Sequence, residues 1–301
     1  MLDDRQYGFR SNRSTGDLMT YLTHKIGRSI QGYGESQLLS LDITKAFDRV
    51  SHKVLLSKLV SFGLPPSLVA WIRSYLTNRS IKVVLDGVAS QPFQIFAGVP
   101  QGAVLSPSLF LIFINDLLTS TQNPIHSFAD DSTLHSSYDL SRSHSLNDVL
   151  QAREVLALSL NRDLELINSW ANSNLVEFNE SKTQSCLFSN KRSSYASNLN
   201  FNGSSIINSE FVNSVGMRLS DSLIWHDHIV EAAKKASSRV GFLRRAKHYL
   251  DADNLGLVYK AFIRPLLEYN SHIWAGAAPA SKMFVDRIQK RAFKVINSNL
   301  Y

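Results

Sequence analysis

The chain holds a single cysteine, Cys186, among 301 residues. One thiol excludes an internal disulfide and any zinc site built from several cysteines. It fits a reducing intracellular setting, nucleus or cytoplasm. Cys186 itself, in Gln-Ser-Cys-Leu-Phe, reads as a packed strand residue. Long hydrophobic runs are also missing. No stretch approaches the ~18 apolar residues of a membrane span, so no membrane partner is expected. The first residues, Met-Leu-Asp-Asp-Arg, lack the basic lead and apolar core of a signal peptide. There are no internal repeats and no long low-complexity tract. Acidic charge is sparse at one end. Residues 225–301 carry 13 Lys+Arg against 6 Asp+Glu, whereas residues 1–224 carry 19 of each. The whole net charge of +7 therefore lies in the C-terminal quarter, a distribution suited to a phosphate backbone as partner.

The hydrophobic fraction of 44% supports a real core in one large domain or two smaller ones. Apolar spacing predicts a helix over 14–30, a strand over 37–43, and a helix capped by Ser51 and running through Phe62. A helix at 67–77 follows. Strands at 80–85 and 91–97 are expected to join through Asp86-Gly87. A Gly/Pro loop then enters an apolar helix at 107–118. Further on come a long amphipathic helix at 146–171, short strands near 175–178 and 184–188, an exposed loop at 189–200, and a hairpin at Asn202-Gly203. Beyond Trp225 the pattern is all-helical: 228–250, 253–270 with a kink at Pro265, and 281–297 capped by Ser281. The composition shift near 221–225 marks the expected domain boundary.

Carboxylates carry the chemistry. Asp42 ends the strand-like run Gln-Leu-Leu-Ser-Leu-Asp, and Asp130 and Asp131 stand side by side in Phe-Ala-Asp-Asp-Ser-Thr-Leu. Charges between apolar stretches are costly unless something offsets them. Two strands presenting Asp and Asp-Asp at one sheet edge form a clamp for two Mg²⁺ ions about 3.5–4 Å apart. The spacing places Asp130-Asp131 in a two-residue turn between strands 125–129 and 132–136. Side chains alternate along a strand, so one acid faces the metals squarely, and Asp130 is favoured.

Four blocks in this order resemble the reverse transcriptases of LINE-type non-LTR retrotransposons, most closely the jockey-like group. They are Gln6-Tyr-Gly-Phe-Arg10 with Ser14-Thr15, Leu41 through Asp48 to His52, Gly98-Val-Pro-Gln-Gly102 through Phe113-Ile-Asn-Asp116-Leu, and Phe128-Ala-Asp-Asp131. The resemblance runs through essentially the whole chain. It implies an α+β right-hand polymerase with an antiparallel-sheet palm, partial fingers and an all-helical thumb. The corresponding domains are partial fingers at 1–36, a palm with a fingers insertion and a primer-grip hairpin at 37–224, and a basic thumb-like region at 225–301. The implied activity is RNA-directed DNA synthesis on an RNA template and a DNA primer, with dNTPs as substrates and two Mg²⁺ ions, or Mn²⁺ in their place.

The same resemblance distributes roles. Asp42 and Asp130 would hold both metals, with Asp131 in support. Phe47 would lie beneath the incoming sugar and exclude a 2′-hydroxyl. Gln101 would touch the nucleotide, and Gly102 would permit close backbone approach. Arg10 would grip the triphosphate, and Lys182 would protonate pyrophosphate. Lys234, Lys235, Arg239, Arg244, Arg245 and Lys247, arranged around Ala236, Val240 and Leu243, would meet template–primer phosphates. Residues 211–219 resemble the strand pair that supports the primer end. Asp48 is expected to cap or start the helix after the active strand, Asp116 to end a helix in an ion pair, and His226 and His228 to pack. Relatives extend further at both ends, so the chain is expected to be truncated. Two rival readings stand beside this one: a non-catalytic nucleic-acid-binding remnant, and an RNA-synthesising palm polymerase.

Overall fold

A computed structural model describes residues 1–191, 195 and 197–298. The predicted loop at 189–200 lies partly outside these residues. The chain opens with α1 (Thr15–Gln31), whose N-terminus carries a capping box between Ser14 and Asp17. β1 (Glu35–Leu41) follows. α2 (His52–Ser61) is capped by Ser51, as its sequence predicts, and α3 (Pro66–Leu76) begins with proline in its first turn. The next hairpin is split. β2 (Arg79–Ile81) pairs with β5 (Phe93–Ile95), and β3 (Val84–Leu85) pairs with β4 (Val88–Ala89). The expected pair of continuous strands is interrupted at Pro92, which has no N–H to give to a ladder.

α4 (Ser106–Ile114) runs into a short 3₁₀ segment. It precedes β6 (Ile125–Phe128), β7 (Asp131–Tyr138) and the long α5 (Leu146–Asn174). The expected strand at 175–178 does not form. α5 runs three residues past its predicted end, Leu175 caps it with a left-handed φ of 57°, and only an isolated bridge from Ile43 to Phe178 remains. β8 (Gln184–Phe188) has the predicted bounds. β9 (Leu199–Phe201) and β10 (Ser204–Ile206) join through Asn202-Gly203, both at positive φ as a tight hairpin requires. β11 (Phe211–Ser214) and β12 (Met217–Ser220) form a last ribbon.

The remainder is helical: α6 (His226–Ala246), α7 (Ala252–Val258), α8 (Arg264–Glu268), α9 (Ser271–Trp274) and α10 (Pro279–Asn297). The kink expected at Pro265 is realised as a π-helical turn over Tyr259–Ile263, which absorbs the hydrogen bond that proline cannot make. Ser281 does not cap α10. It is buried inside the first turn, and its hydroxyl meets His226 Nδ1 at 3.0 Å.

β6, β7, β1 and β8 make one antiparallel sheet in that order. Alternation along β1 divides the core. Leu39 and Leu41 join Leu134, Ile125 and the inward faces of α2, α4 and α5. Leu38 joins Cys186, Phe188, α1, β11–β12 and the C-terminal helices. β1 is fixed at both ends. At its start, the carboxylate of Glu35 accepts two bonds from Arg153 of α5, at 2.7 and 2.8 Å, and both residues are fully buried. At its end, the Asn179 N–H donates to the Asp42 carbonyl at 2.8 Å. Cys186 is fully buried, as expected, and burial pushes its thiol up to about 12.

Two histidines are buried in the sheet next to the Asp-Asp hairpin. His126 packs 4.5 Å from the Tyr21 ring, and His135 meets Ser36 Oγ at 2.7 Å. Burial pushes both down to about 4; for His126 the neighbouring His135, Arg5 and Lys25 add to this, and Asp3 opposes it. Against an unfolded value near 6.5, the native state binds fewer protons. The contribution is therefore complete above about pH 6.5 and is lost as pH falls towards 4, by up to roughly 3 kcal/mol per histidine. Thermal unfolding followed from pH 7 to pH 4 should show the melting temperature falling across that window, and His126→Phe should remove part of the slope. A flat profile would contradict the assignment.

Candidate active site

The β6–β7 hairpin presents the paired acids. Phe128 pairs directly with Asp131, so the two-residue loop is Ala129-Asp130 and Asp131 opens β7. The turn thus sits one residue earlier than the sequence places it, because Ala129 and not Asp131 takes the left-handed conformation, at φ 58°. The ladder between β1 and β7 runs to Leu41↔Ser132. One further step places Asp42 across from Asp131. The carboxyl of Asp131, exposed at the mouth of the hairpin, is nevertheless raised above the ordinary carboxylate range, first by the protein packed around it and then by the charges of Asp130 and Asp42. The three acids therefore share one electrostatic cluster at the sheet edge.

Lys182 joins this cluster. It lies in a short turn after Asn179, and its Nζ stands 3.4 Å from Asp42 Oδ2. The donor set is all oxygen, which suits a hard cation. Among the described residues no three His, Cys, Asp or Glu side chains lie close enough to hold an ion by themselves. Mg²⁺ binds through one or two carboxylates and completes its shell with water and substrate phosphates, so Asp42 and a hairpin acid would be the protein groups to hold it.

Phe47, five residues after Asp42, is half-buried. It stacks on Phe110 of α4 with centroids 4.4 Å apart, and the edge of Phe9 closes its other side at 6.3 Å. Its carbonyl accepts the Val99 N–H at 2.9 Å, which ties the 98–102 loop to the segment after β1. Gly98 is required there: a Cβ would lie 2.7 Å from the Asp48 carbonyl. Gln101 Nε2 donates to Asp48 Oδ1 at 3.0 Å. Asp48 is therefore a partner of the loop and not the helix cap, which Ser51 provides. Gly102 has a φ of 83°, with open space where a side chain would stand. The Arg10 guanidinium binds the Asp3 carbonyl at 2.6 Å and the Asp4 carboxylate at 3.6 Å, so it is held by its own N-terminal segment. Asp116 forms the expected ion pair, with Lys58 at 2.7 Å, and also accepts from Trp170 Nε1 at 2.9 Å.

The basic side chains of α6 surround buried Ala236, Val240 and Leu243, as expected. Lys234, Lys235, Arg239, Arg244 and Arg245 are exposed and Lys247 is half-buried. Lys235 pairs with Glu231 at 2.9 Å. At the far end of the helix, Arg244, Lys247 and His248 line a cavity of about 450 Å³ together with Arg291 and Lys294 of α10, with no acidic residue among the lining. His226 and His228 make hydrogen bonds within the fold, His228 Nδ1 accepting the Arg218 N–H at 3.3 Å. At the opposite end of α6, Tyr269 donates to the Val215 carbonyl in the β11–β12 turn at 2.7 Å.

Four residues at this site were given no role by the sequence reading. His52 Nε2 meets the Gly98 carbonyl at 2.7 Å. Arg291 and Lys294 complete the cationic cavity from a second helix. Gln6, buried against the hairpin turn, bonds Ala129. Their partners lie between 46 and 123 residues away for His52 and Gln6, so no local pattern could reveal them.

The family described as reverse transcriptase (RNA-dependent DNA polymerase) matches residues 1–237. The chain is 26% identical, over 97% of its length, to the RNA-directed DNA polymerase from mobile element jockey of Drosophila melanogaster, covering 32% of that protein. It is 29% identical over 91% of its length to the jockey polymerase of Drosophila funebris, and 27% identical over its full length to the probable RNA-directed DNA polymerase from transposon BS. The chain thus spans about a third of the length of these relatives. Among solved structures it is similar to telomerase from Candida albicans in complex with a telomeric RNA fragment, at a TM-score of 0.46 and 13% identity, covering 95% of this chain and 48% of that one. Apo telomerase from Candida tropicalis gives 0.47 at 11% identity, with 98% and 48% covered. The chain belongs to the reverse transcriptase (RNA-dependent DNA polymerase) family.

Proposed function

We propose that this chain is the polymerase region of a jockey-like non-LTR retrotransposon, extending a DNA primer on an RNA template by nucleotidyl transfer. The observation that carries the reading is the convergence of Asp42, Asp130 and Asp131 at one sheet edge, in a chain of this family. Its parts follow the right-hand plan: partial fingers at 1–36, a palm at 37–224 and a basic thumb-like region at 225–301.

Divalent cations bound at the acids would lower the pKa of the primer 3′-hydroxyl and neutralise the triphosphate. The chain's own residues supply the rest. Asp42 and Asp130 would hold the ions, with Asp131 in support. Phe47, braced by Phe110 and Phe9, sits beneath the sugar and selects deoxynucleotides. Gln101, steadied by Asp48, contacts the nucleotide, and Gly102 leaves its approach open. Lys182 pairs with Asp42 and, released from it by a bound cation, would give a proton to the leaving pyrophosphate. Arg10 must release Asp3 and Asp4 to reach a triphosphate. The exposed cations of α6 follow the template–primer backbone, and the cavity shared with α10 receives phosphates further along the duplex.

Primer extension tests the reading: purified chain, Mg²⁺, dNTPs, an RNA template and a DNA primer, beside Asp130→Ala. Extension should fall by at least a hundredfold in the variant while nucleic-acid binding is kept. Binding without extension by the unsubstituted chain would favour a non-catalytic remnant, and equal extension by the variant would remove the metal assignment. Binding itself should weaken in Arg244→Ala and Arg291→Ala about equally across template sequences, each lowering the salt slope of log K by about 1. An unchanged slope would take the cavity out of the interface.

A further inference from the structure

We infer that Gln6 is the positioning residue of the catalytic turn, holding the Ala129-Asp130 backbone so that Asp130 and Asp131 face Asp42. The inference rests on the polymerase reading above and adds a residue to it. Gln6 is 1% exposed and reaches across 123 residues of sequence to bracket a single residue, Ala129, bonding the peptide groups on both sides of it. Its Oε1 accepts the Ala129 N–H at 3.0 Å, and its Nε2 donates to the Ala129 carbonyl at 3.4 Å. The same oxygen accepts the Gly8 N–H at 2.9 Å, so the amide is fixed from its own side as well.

Ala129 needs such a hold. It is buried and lies in the left-handed region, which alanine seldom adopts because its Cβ crowds the following carbonyl. Without a partner for its N–H and C=O, the turn could relax to other two-residue geometries, and each would re-aim both acids. The segment around Gln6 is itself anchored. The Tyr7 N–H donates to Ser127 at 2.8 Å and the Ser127 N–H donates to Arg5 at 2.9 Å, laying residues 5–7 parallel to β6. Gly8 then passes so close to the turn that a Cβ would come within 2.3 Å of the Ala129 nitrogen. The N-terminal strip is thus built against the turn, and Gln6 is its only side chain with bonds to Ala129 among the described residues.

The test compares Gln6→Met, which keeps the length but has no acceptor oxygen, with Gln6→Glu, which restores that oxygen. Three quantities are read: hydrogen exchange of peptides across 125–135, kcat and KM for dNTP in primer extension, and Mn²⁺ affinity by electron paramagnetic resonance. The methionine variant should lose exchange protection in the hairpin alone. Its kcat should fall ten- to a hundredfold with KM and template–primer affinity unchanged, since a misplacement near 1 Å can cost about that much. Its Mn²⁺ affinity should fall about tenfold, and the glutamate variant should recover most of the lost protection. If Gln6→Met does not fold, Gln6→Asn is read in its place, keeping a neutral amide one methylene short of Ala129. Unchanged protection, or a looser hairpin with undiminished kcat and Mn²⁺ affinity, would overturn the inference. If the unsubstituted chain does not extend primers, the polymerase reading fails separately, and protection together with Mn²⁺ affinity still decides the role of Gln6.

Discussion

The antiparallel ladder between β1 and β7, in register from Glu35↔Tyr138 to Leu41↔Ser132, brings the end of β1 that carries Asp42 beside the hairpin that carries Asp130 and Asp131. Side chains alternate across a strand, so a slip of one residue would carry Leu39 and Leu41 out of one core and send Leu38 into the other. The same slip would separate Asp42 from the acids of the hairpin. The register is therefore enforced by burial on both faces of the sheet, and the acids inherit their proximity from that enforcement. The buried Glu35–Arg153 pair pins the far end of the same strand. Such a pair adds little net stability but makes a shifted strand costly, because one charge would be left buried alone.

The site lies where two differently built halves meet. On one face, α2, α4 and α5 cover the sheet and send in Phe110, which supports Phe47. On the other, α1, β11–β12 and the C-terminal helices form a second core. Tyr269 links the β11–β12 turn to the helical region, and Ser214 Oγ lies 3.3 Å from Thr133 Oγ1 of β7, so this ribbon touches both β7 and the helical region. Acids gather at the sheet edge, and cations line α6 and α10.

Much of this was legible in the sequence, for physical reasons that differ by element. Ser51 has the hydroxyl a helix start needs, and Asn202-Gly203 tolerates the positive φ of a tight hairpin, so both acted as local instructions. Asp42 and the Asp130-Asp131 pair stood out because charge amid apolar strands demands a partner. The features that escaped are set by contacts distant in sequence. Ala129 is an unpromising residue for a left-handed turn and adopts one because Gln6 supports it from the N-terminal strip. Ser281 looked like a cap, but tertiary packing against His226 turned it inward. The strand expected at 175–178 is pre-empted by the end of a longer α5: Leu175 turns left-handed to cap that helix, and only the Ile43–Phe178 bridge forms beyond it.

Anomalous diffraction from crystals of the chain equilibrated with Mn²⁺ and a template–primer tests the central claim most directly. The expected result is density between Asp42 and the Asp130-Asp131 turn, with Lys182 displaced from Asp42. Manganese bound elsewhere, with the Lys182–Asp42 pair intact and the three carboxylates left without an ion, would contradict it.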